Sequence, residues 1–460
     1  MGGSEPEATM KSEEARSLIE RAKTSEITLD LHPWAAKIFM ASYSTHNELS
    51  SRFFKPLTDL YPLSDKRYAC SEVSDTDFAR LGVLRCISHA KSGHQFLQHH
   101  ADQGNASLSP DHFFKALKSP RRLTNLTSIN RLMRPLMAEL RDDPLEEFEA
   151  LRNWSLFAAD GHYQKPAIFD AKKPSNSKNK LTKPATGHFF RLDLRTHHMG
   201  HLDLAELENG RKKEHDMHLI KRSRVEHLRD GAPKGHKVLY LWDRACIDYA
   251  CWDRLKHNSG IYFCTLEKSN SVTEFISDHK VLDYEDPDNE GIRSDQIVAT
   301  SQGYRIRKIV YVNPEDGVEY VYLTNEMTPP PCLVVLLYKH RWDIEKVFDQ
   351  FKNKMEEKRS WASSATAKKA HAVFECLAHN LMLLLEDELQ QTEGMTDQLE
   401  PIKQRGRQKG HSLSKSFINT ALSRATQRTQ RFIRWLAAHL YREASWRQAM
   451  LRLATVWGCS

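Results

Sequence analysis

A chain of 460 residues, 40% hydrophobic and 28% charged, has room for more than one ordinary domain and the composition of a folded soluble protein. Its longest apolar runs, residues 333–337 and 381–385, fall far short of the ~18–20 residues a membrane span needs. No secretory signal opens it, and its eight cysteines hold no CxxC pair, which sets aside a membrane protein, a secreted disulfide scaffold and a zinc finger. The net charge of +7 is unevenly placed: residues 401–460 carry twelve Lys and Arg against one acid, Glu443, for +11, so the first 400 residues sum to −4. A basic end of this kind suits a polyanion such as nucleic acid, or simply aids solubility.

In chain order, residues 1–30 read as a polar, flexible tail with one helix over 12–22, and 31–150 as a helical N-terminal, DNA-binding region. Ser109 as N-cap and Pro110 at the first helical position mark one helix start, followed by the basic cluster Lys115, Lys118, Arg121 and Arg122, which suits DNA or a solvated face. Residues 151–266 form the first part of an α/β core. Strands are expected over 154–159, ending at Asp160-Gly161, and over 188–196, with a Lys-rich loop at 172–183 between them. A helical stretch over 214–228, a strand over 237–242 ending at Asp243, a helix over 246–256 and a strand over 260–266 complete it. Residues 267–330 are a β-rich insertion, with a hairpin of 304–312 and 318–324 around the loop Asn313-Pro314-Glu315-Asp316-Gly317. Residues 331–390 return to the core with a long helix over 333–358 and an apolar one over 367–389. A linker over 391–412 and a basic helical region over 413–460 follow.

The long helix carries the chemistry. Tyr338, Arg341, Glu345 and Lys352 fall at i, i+3, i+7 and i+14, within an arc of about 60° beside an apolar stripe of Leu337, Ile344, Val347, Phe348 and Phe351. One carboxylate between two cations and a phenol can bind a metal while its neighbours hold phosphates, or it can be one charge on a solvated face. Asp160 and Asp243 stand where core strands stop, which is where α/β sheets commonly build sites. Two Asp and one Glu make an oxygen-ligand set suited to Mg²⁺ or Mn²⁺, and two such ions can drive an in-line phosphoryl transfer.

These residues resemble a known family. Tyr338-x2-Arg341-x3-Glu345-x6-Lys352, with Trp342 and Ile344 inside it, looks like the Y-R-E-K signature of DDE transposases of bacterial insertion sequences. Asp160-Gly161 and Asp243-Arg244 resemble their first two acidic motifs, and the spacings of 83 and 102 residues suit a β-rich insertion in the second gap. Leu323-Thr324-Asn325 and the stretch from Asp111 to Leu117 add to the likeness, which covers about residues 100–385. The resemblance implies a ribonuclease H-like catalytic core, flanked by helical N- and C-terminal regions. It implies Asp160, Asp243 and Glu345 as catalytic residues and ligands of two Mg²⁺ or Mn²⁺ ions. Tyr338, Arg341, Lys352, Arg244 and Trp342 would contact DNA.

The implied reaction is hydrolytic nicking at element ends, then attack of the freed 3′-hydroxyl on target DNA, with no covalent protein intermediate. The implied partners are double-stranded DNA (terminal inverted repeats and target) and a second copy, as a homodimer or higher oligomer on paired ends. The implied location is the bacterial cytoplasm and nucleoid. Relatives that form a DNA hairpin stack a flipped base on an insertion Trp. None lies between Asp253 and Arg341 here, so Tyr304, Tyr311, Tyr320 and Tyr322 are either substitutes or ordinary strand residues.

Asp193 competes with Asp160, and Asp248 and Asp253 with Asp243, but the latter two fall inside a helix and the motif favours Asp160. Asp349 reads as a surface charge and His197, His198 and His201 as loop histidines. Arg424, Arg428 and Arg431 make one basic helix face that suits phosphate. A structure-specific nuclease on the same core, or a non-catalytic DNA-binding regulator, are the alternative functions.

Overall fold

The computed structural model describes residues 47–60, 74–88, 90, 92–102, 109–174, 181–205, 207–208, 212–213, 216–355, 359–399, 427–440 and 445–459. The expected N-terminal tail and helix, Arg424 and most of the expected linker lie outside these residues. The described residues all fall in one compact unit.

Helices come first: α1 (Glu48–Leu60), α2 (Asp75–Ile87), α3 (Gly93–Asp102), α4 (Pro110–Ala116) and α5 (Pro120–Leu140). Ser109 caps α4 as its sequence predicts, accepting from the His112 N–H. Of the basic cluster that follows, Lys115 and Lys118 are exposed, while Arg121 and Arg122 are matched inside the protein. Asp75, 4% exposed, accepts from Arg121 Nη2 at 2.8 Å and from Asn125 at 2.8 Å, and Arg122 Nε stands 3.4 Å away. Arg122 also lies 4.8 Å from the Phe78 ring centroid, so Arg121 and Arg122 hold helix to helix rather than facing a polyanion.

The core sheet is built from β1 (Trp154–Gln164), β2 (Thr186–Asp193), β3 (Met199–Leu204), β4 (Lys237–Leu241) and β5 (Ile261–Leu266). Short helices α6 (Asp216–Arg222) and α7 (Val225–Leu228) precede β4, and α8 (Tyr249–Ser259) joins β4 to β5. The order is β3-β2-β1-β4-β5: β1 is antiparallel to β2 and parallel to β4, and β4 is parallel to β5. This is the ribonuclease H-like arrangement implied by the sequence.

Four more strands, β6 (Thr273–Asp278), β7 (Ile292–Thr300), β8 (Arg305–Val312) and β9 (Glu319–Thr324), do not build a separate sheet. β9 pairs antiparallel with β5, Thr324 opposite Cys264, so the insertion prolongs the core sheet to nine strands. The β8–β9 hairpin turns through Asn313–Gly317 as expected, with Gly317 at φ 70°. At its far end Asn325 accepts from the Phe263 N–H (2.9 Å) and donates to Trp252 O (3.2 Å), fastening β9 to β5 and α8.

The long helix expected over 333–358 is three pieces: α9 (Pro331–Lys339), α10 (Trp342–Asp349) and a π turn over Gln350–Lys354. Between α9 and α10 the bonds tighten to three-residue steps, Arg341 N to Tyr338 O and Asp343 N to His340 O. The π turn, closed by Met355 N to Gln350 O at 2.9 Å, has a buried cause: Gln350 accepts from the Arg428 N–H (2.6 Å) and meets His379 (3.1 Å).

Helix α11 (Ala365–Glu393) then lies behind the sheet against β3, α2 and α5, and α12 (Gln430–Leu440) and α13 (Trp446–Trp457) pair beside α1. Arg428 is buried against Glu386 and Arg431 pairs with Asp397 at 3.2 Å, so the basic face expected for phosphate is, at these two positions, a set of internal ion pairs. Where α2 meets α11, Gly82 leaves no space: a Cβ there would stand 2.3 Å from the Phe374 ring, which is fully buried. Gly82→Ala is therefore expected to destabilise the protein by roughly 1–3 kcal/mol, read as a lower midpoint of thermal unfolding.

Candidate active site

Strand β1 does not end at Asp160. Its antiparallel pairing with β2 continues, Asp160 opposite Phe190, as far as Gln164 opposite Thr186. What ends is the parallel pairing with β4, whose last pair is Ala158 with Leu241. Asp160 and Asp243 each lie two residues beyond that pair, Asp160 still on β1 and Asp243 just past the end of β4, at the carboxyl edge where open α/β sheets hold their ligands.

Side-chain alternation then brings Glu345 in. Asp160 and His162 share a face of β1, and the His162 ring stacks on Phe348 of α10 at 4.7 Å between centroids. Phe190 of β2 seals the same contact, 5.6 Å from Phe348 and 5.8 Å from Phe351. Glu345 is three residues before Phe348, one turn back along α10, and so faces Asp160. Arg341 joins them: Nη2 donates to Glu345 Oε1 at 2.8 Å and Nη1 to Asp160 Oδ2 at 3.4 Å. The guanidinium is 6% exposed, against 20% for the Asp160 side chain and 35% for Glu345, so the two carboxylates reach solvent and the arginine lies beneath them.

Tyr338 turns inward instead of facing DNA. It is 4% exposed and its hydroxyl donates to Trp242 O at 3.0 Å. Burial pushes the phenol well above its usual range, against the pull of Arg341, so it stays a neutral donor. Its work is to fix the residue before Asp243, whose Oδ1 in turn accepts from the Arg244 N–H at 2.7 Å. Arg244, Trp342 (56% exposed) and Lys352 stand at the surface. Because the π turn underwinds the helix after Gln350, Lys352 does not keep the phase that a continuous helix would give it relative to Glu345.

The rival carboxylates have other partners. Asp193 is fully buried. Burial alone would raise its pKa, but Arg134 Nε at 2.5 Å and the Arg195 N–H hold it below the usual value. Asp248 caps α8. Asp343, inside the signature itself, is 4% exposed. Against the cost of burial, its bond to His340 and the charges of His340 and Lys346 hold its pKa to about 2. His198 is buried and His201 half-buried, and desolvation lowers them to about 3 and about 4, so both are neutral, with His201 on strand β3 rather than in a loop. Tyr311 and Tyr322, at 4% and 5% exposure, are strand residues of the core and offer no stacking platform.

The donor set of Asp160, Asp243 and Glu345 is carboxylate throughout, the hard-oxygen chemistry that Mg²⁺ or Mn²⁺ takes. Asp160 and Glu345 already converge on one cationic group, the Arg341 guanidinium, so their oxygens suit a cation. Among the described residues no three His, Cys, Asp or Glu side chains stand together as a group that could hold a metal ion. The model of the transposase DDE domain matches residues 127–381, more than half of the chain. The protein belongs to the DDE transposase family. The matched span runs from α5 through most of α11 and takes in all three acids. No curated protein matches the chain. Among the described residues no helix is long and apolar enough to cross a membrane.

Neither the inward turn of Tyr338 nor the two-way hydrogen bonding of Arg341 is visible in the sequence, because the deciding partners, Trp242 and Asp160, lie far away in the chain. The only sequence signal was the shared helical arc.

Proposed function

We propose that this DDE transposase binds the ends of its own insertion sequence and catalyses metal-dependent DNA cleavage and strand transfer, with Asp160, Asp243 and Glu345 as the catalytic carboxylates. The observation that carries this reading is the bridge between Asp160 and Glu345: Arg341 bonds to both, and Asp243 stands two residues past the last pair that joins β4 to the strand of Asp160. Two Mg²⁺ or Mn²⁺ ions on these carboxylates would activate water or a 3′-hydroxyl and stabilise the leaving oxygen. The chain's own residues do the rest. Tyr338 holds the backbone that aims Asp243, and the His162–Phe348–Phe190 stack holds α10 at its distance from β1. Arg244 and Lys352 meet phosphates, and the exposed Trp342 ring stacks on a base or sugar. The protein works as a dimer or higher oligomer on paired ends, in the bacterial cytoplasm.

The test is strand cleavage. Purified protein with Mg²⁺ or Mn²⁺ and a labelled duplex carrying the gene's flanking ends is expected to cut at the element boundary and leave a 3′-hydroxyl. Binding of those ends without cutting in either metal would instead make the protein a DNA-binding regulator, and cutting governed by branch structure rather than by end sequence would make it a nuclease.

A further inference from the structure

We propose that Arg341 is an exchangeable counter-ion: it neutralises Asp160 and Glu345 until a divalent ion takes their oxygens, and its guanidinium then passes to a DNA phosphate. The inference rests on the reading of these two carboxylates as metal ligands. Three features of Arg341 support it. First, its two terminal nitrogens are divided between two carboxylates on different elements, where a single Asp or Glu would take both in the usual parallel fork. Second, the attachment is unequal and incomplete. The bond to Glu345 is 2.8 Å, the contact with Asp160 is 3.4 Å, at the limit of a hydrogen bond, and the buried Nε has no partner. Third, the guanidinium lies 5.0 Å from the exposed Trp342 ring, an aromatic face along which a planar cation can move outward.

The oxygens that Arg341 uses are those a metal ion would need, and a divalent ion beside an arginine in a partly desolvated site repels it. Metal and arginine therefore compete for the carboxylates. DNA phosphate and the carboxylates likewise compete for the arginine. By linkage, metal and DNA then favour each other's binding, and the protein is kept from holding metal tightly before DNA is in place.

The experiment is Mn²⁺ binding to the full-length protein without DNA, by calorimetry and by the electron paramagnetic resonance of free Mn²⁺. The binding that counts is the part lost in Glu345→Gln and Asp160→Asn. Arg341→Gln is expected to raise that affinity at least about tenfold, since the competitor is gone. Arg341→Lys, which keeps a charge but cannot span both carboxylates, is expected to fall between Arg341→Gln and the wild type. If Arg341→Gln fails to fold, as circular dichroism would show, Arg341→Lys carries the test. Affinity at or below wild type in a folded Arg341 variant overturns the proposal. No carboxylate-dependent Mn²⁺ binding in the wild type or in either Arg341 variant overturns instead the reading of Asp160 and Glu345 as metal ligands.

Discussion

Glu345→Gln is expected to lower the rate of end cleavage by about a thousandfold or more, some 4 kcal/mol of transition-state stabilisation, while binding to the same DNA changes by no more than a few fold. The substitution keeps shape and removes charge. An amide is a poor, neutral ligand for Mg²⁺, so whatever ion Glu345 shares with the aspartates is lost or displaced. Structural cost does not confuse the result. Glu345 sits on the solvent side of α10 with a third of its side chain exposed, and its partner Arg341 keeps Asp160. Glutamine keeps an acceptor for Arg341, and loss of an ion pair whose carboxylate is a third exposed costs about 1 kcal/mol, so the unfolding midpoint should move little. Single-turnover cleavage and gel-shift binding on one preparation separate the two effects. A rate within tenfold of wild type would remove Glu345 from catalysis.

Asp295→Leu is expected to have the largest effect on stability, about 3–5 kcal/mol. Asp295 on β7 and Arg307 on β8 are both wholly buried and joined by two bonds, Nε to Oδ1 at 2.7 Å and Nη2 to Oδ2 at 2.6 Å. The third donor of Arg307, Nη1, binds Pro329 O at 2.7 Å, so the pair ties the insertion strands to the proline run that starts α9. Removing the aspartate leaves a bare guanidinium in the core. Removing both, as Asp295→Leu with Arg307→Met, leaves no charge to compensate and should recover most of the loss. Urea denaturation of the three variants measures this. A double variant no more stable than the single one would show that packing, and not the stranded charge, sets the cost.

The sequence made much of this legible where the signal is local. The loop Asn313-Pro314-Glu315-Asp316-Gly317 announces its hairpin, Ser109-Pro110 announces its helix, and the helix of Glu345 announces the residue that Arg341 ties to Asp160. It misled where the deciding partner is distant. Asp160-Gly161 looks like a turn because Gly and Asp favour turns, yet pairing with β2 carries the strand four residues further. Periodicity cannot see an i→i+5 step, and Gln350 makes one because Arg428 and His379, from remote segments, claim its amide. The same blindness applies to charge. Arg121, Arg122, Arg428 and Arg431 look like phosphate ligands until Asp75, Glu386 and Asp397 are placed beside them. Strand β3 was missed because its alternation, Met199 to Leu204, is broken by His201, which the fold half-buries.

The central claim is that residues 160, 243 and 345 share divalent metal. Replacing Mg²⁺ by Fe²⁺ and adding ascorbate and peroxide generates hydroxyl radicals at the bound ion, which cut the backbone beside its ligands. Fragments ending near Asp160, near Asp243 and near Glu345, all suppressed by excess Mg²⁺, are the predicted result. Cutting that misses any one of the three sites, or that Mg²⁺ does not suppress, would contradict it.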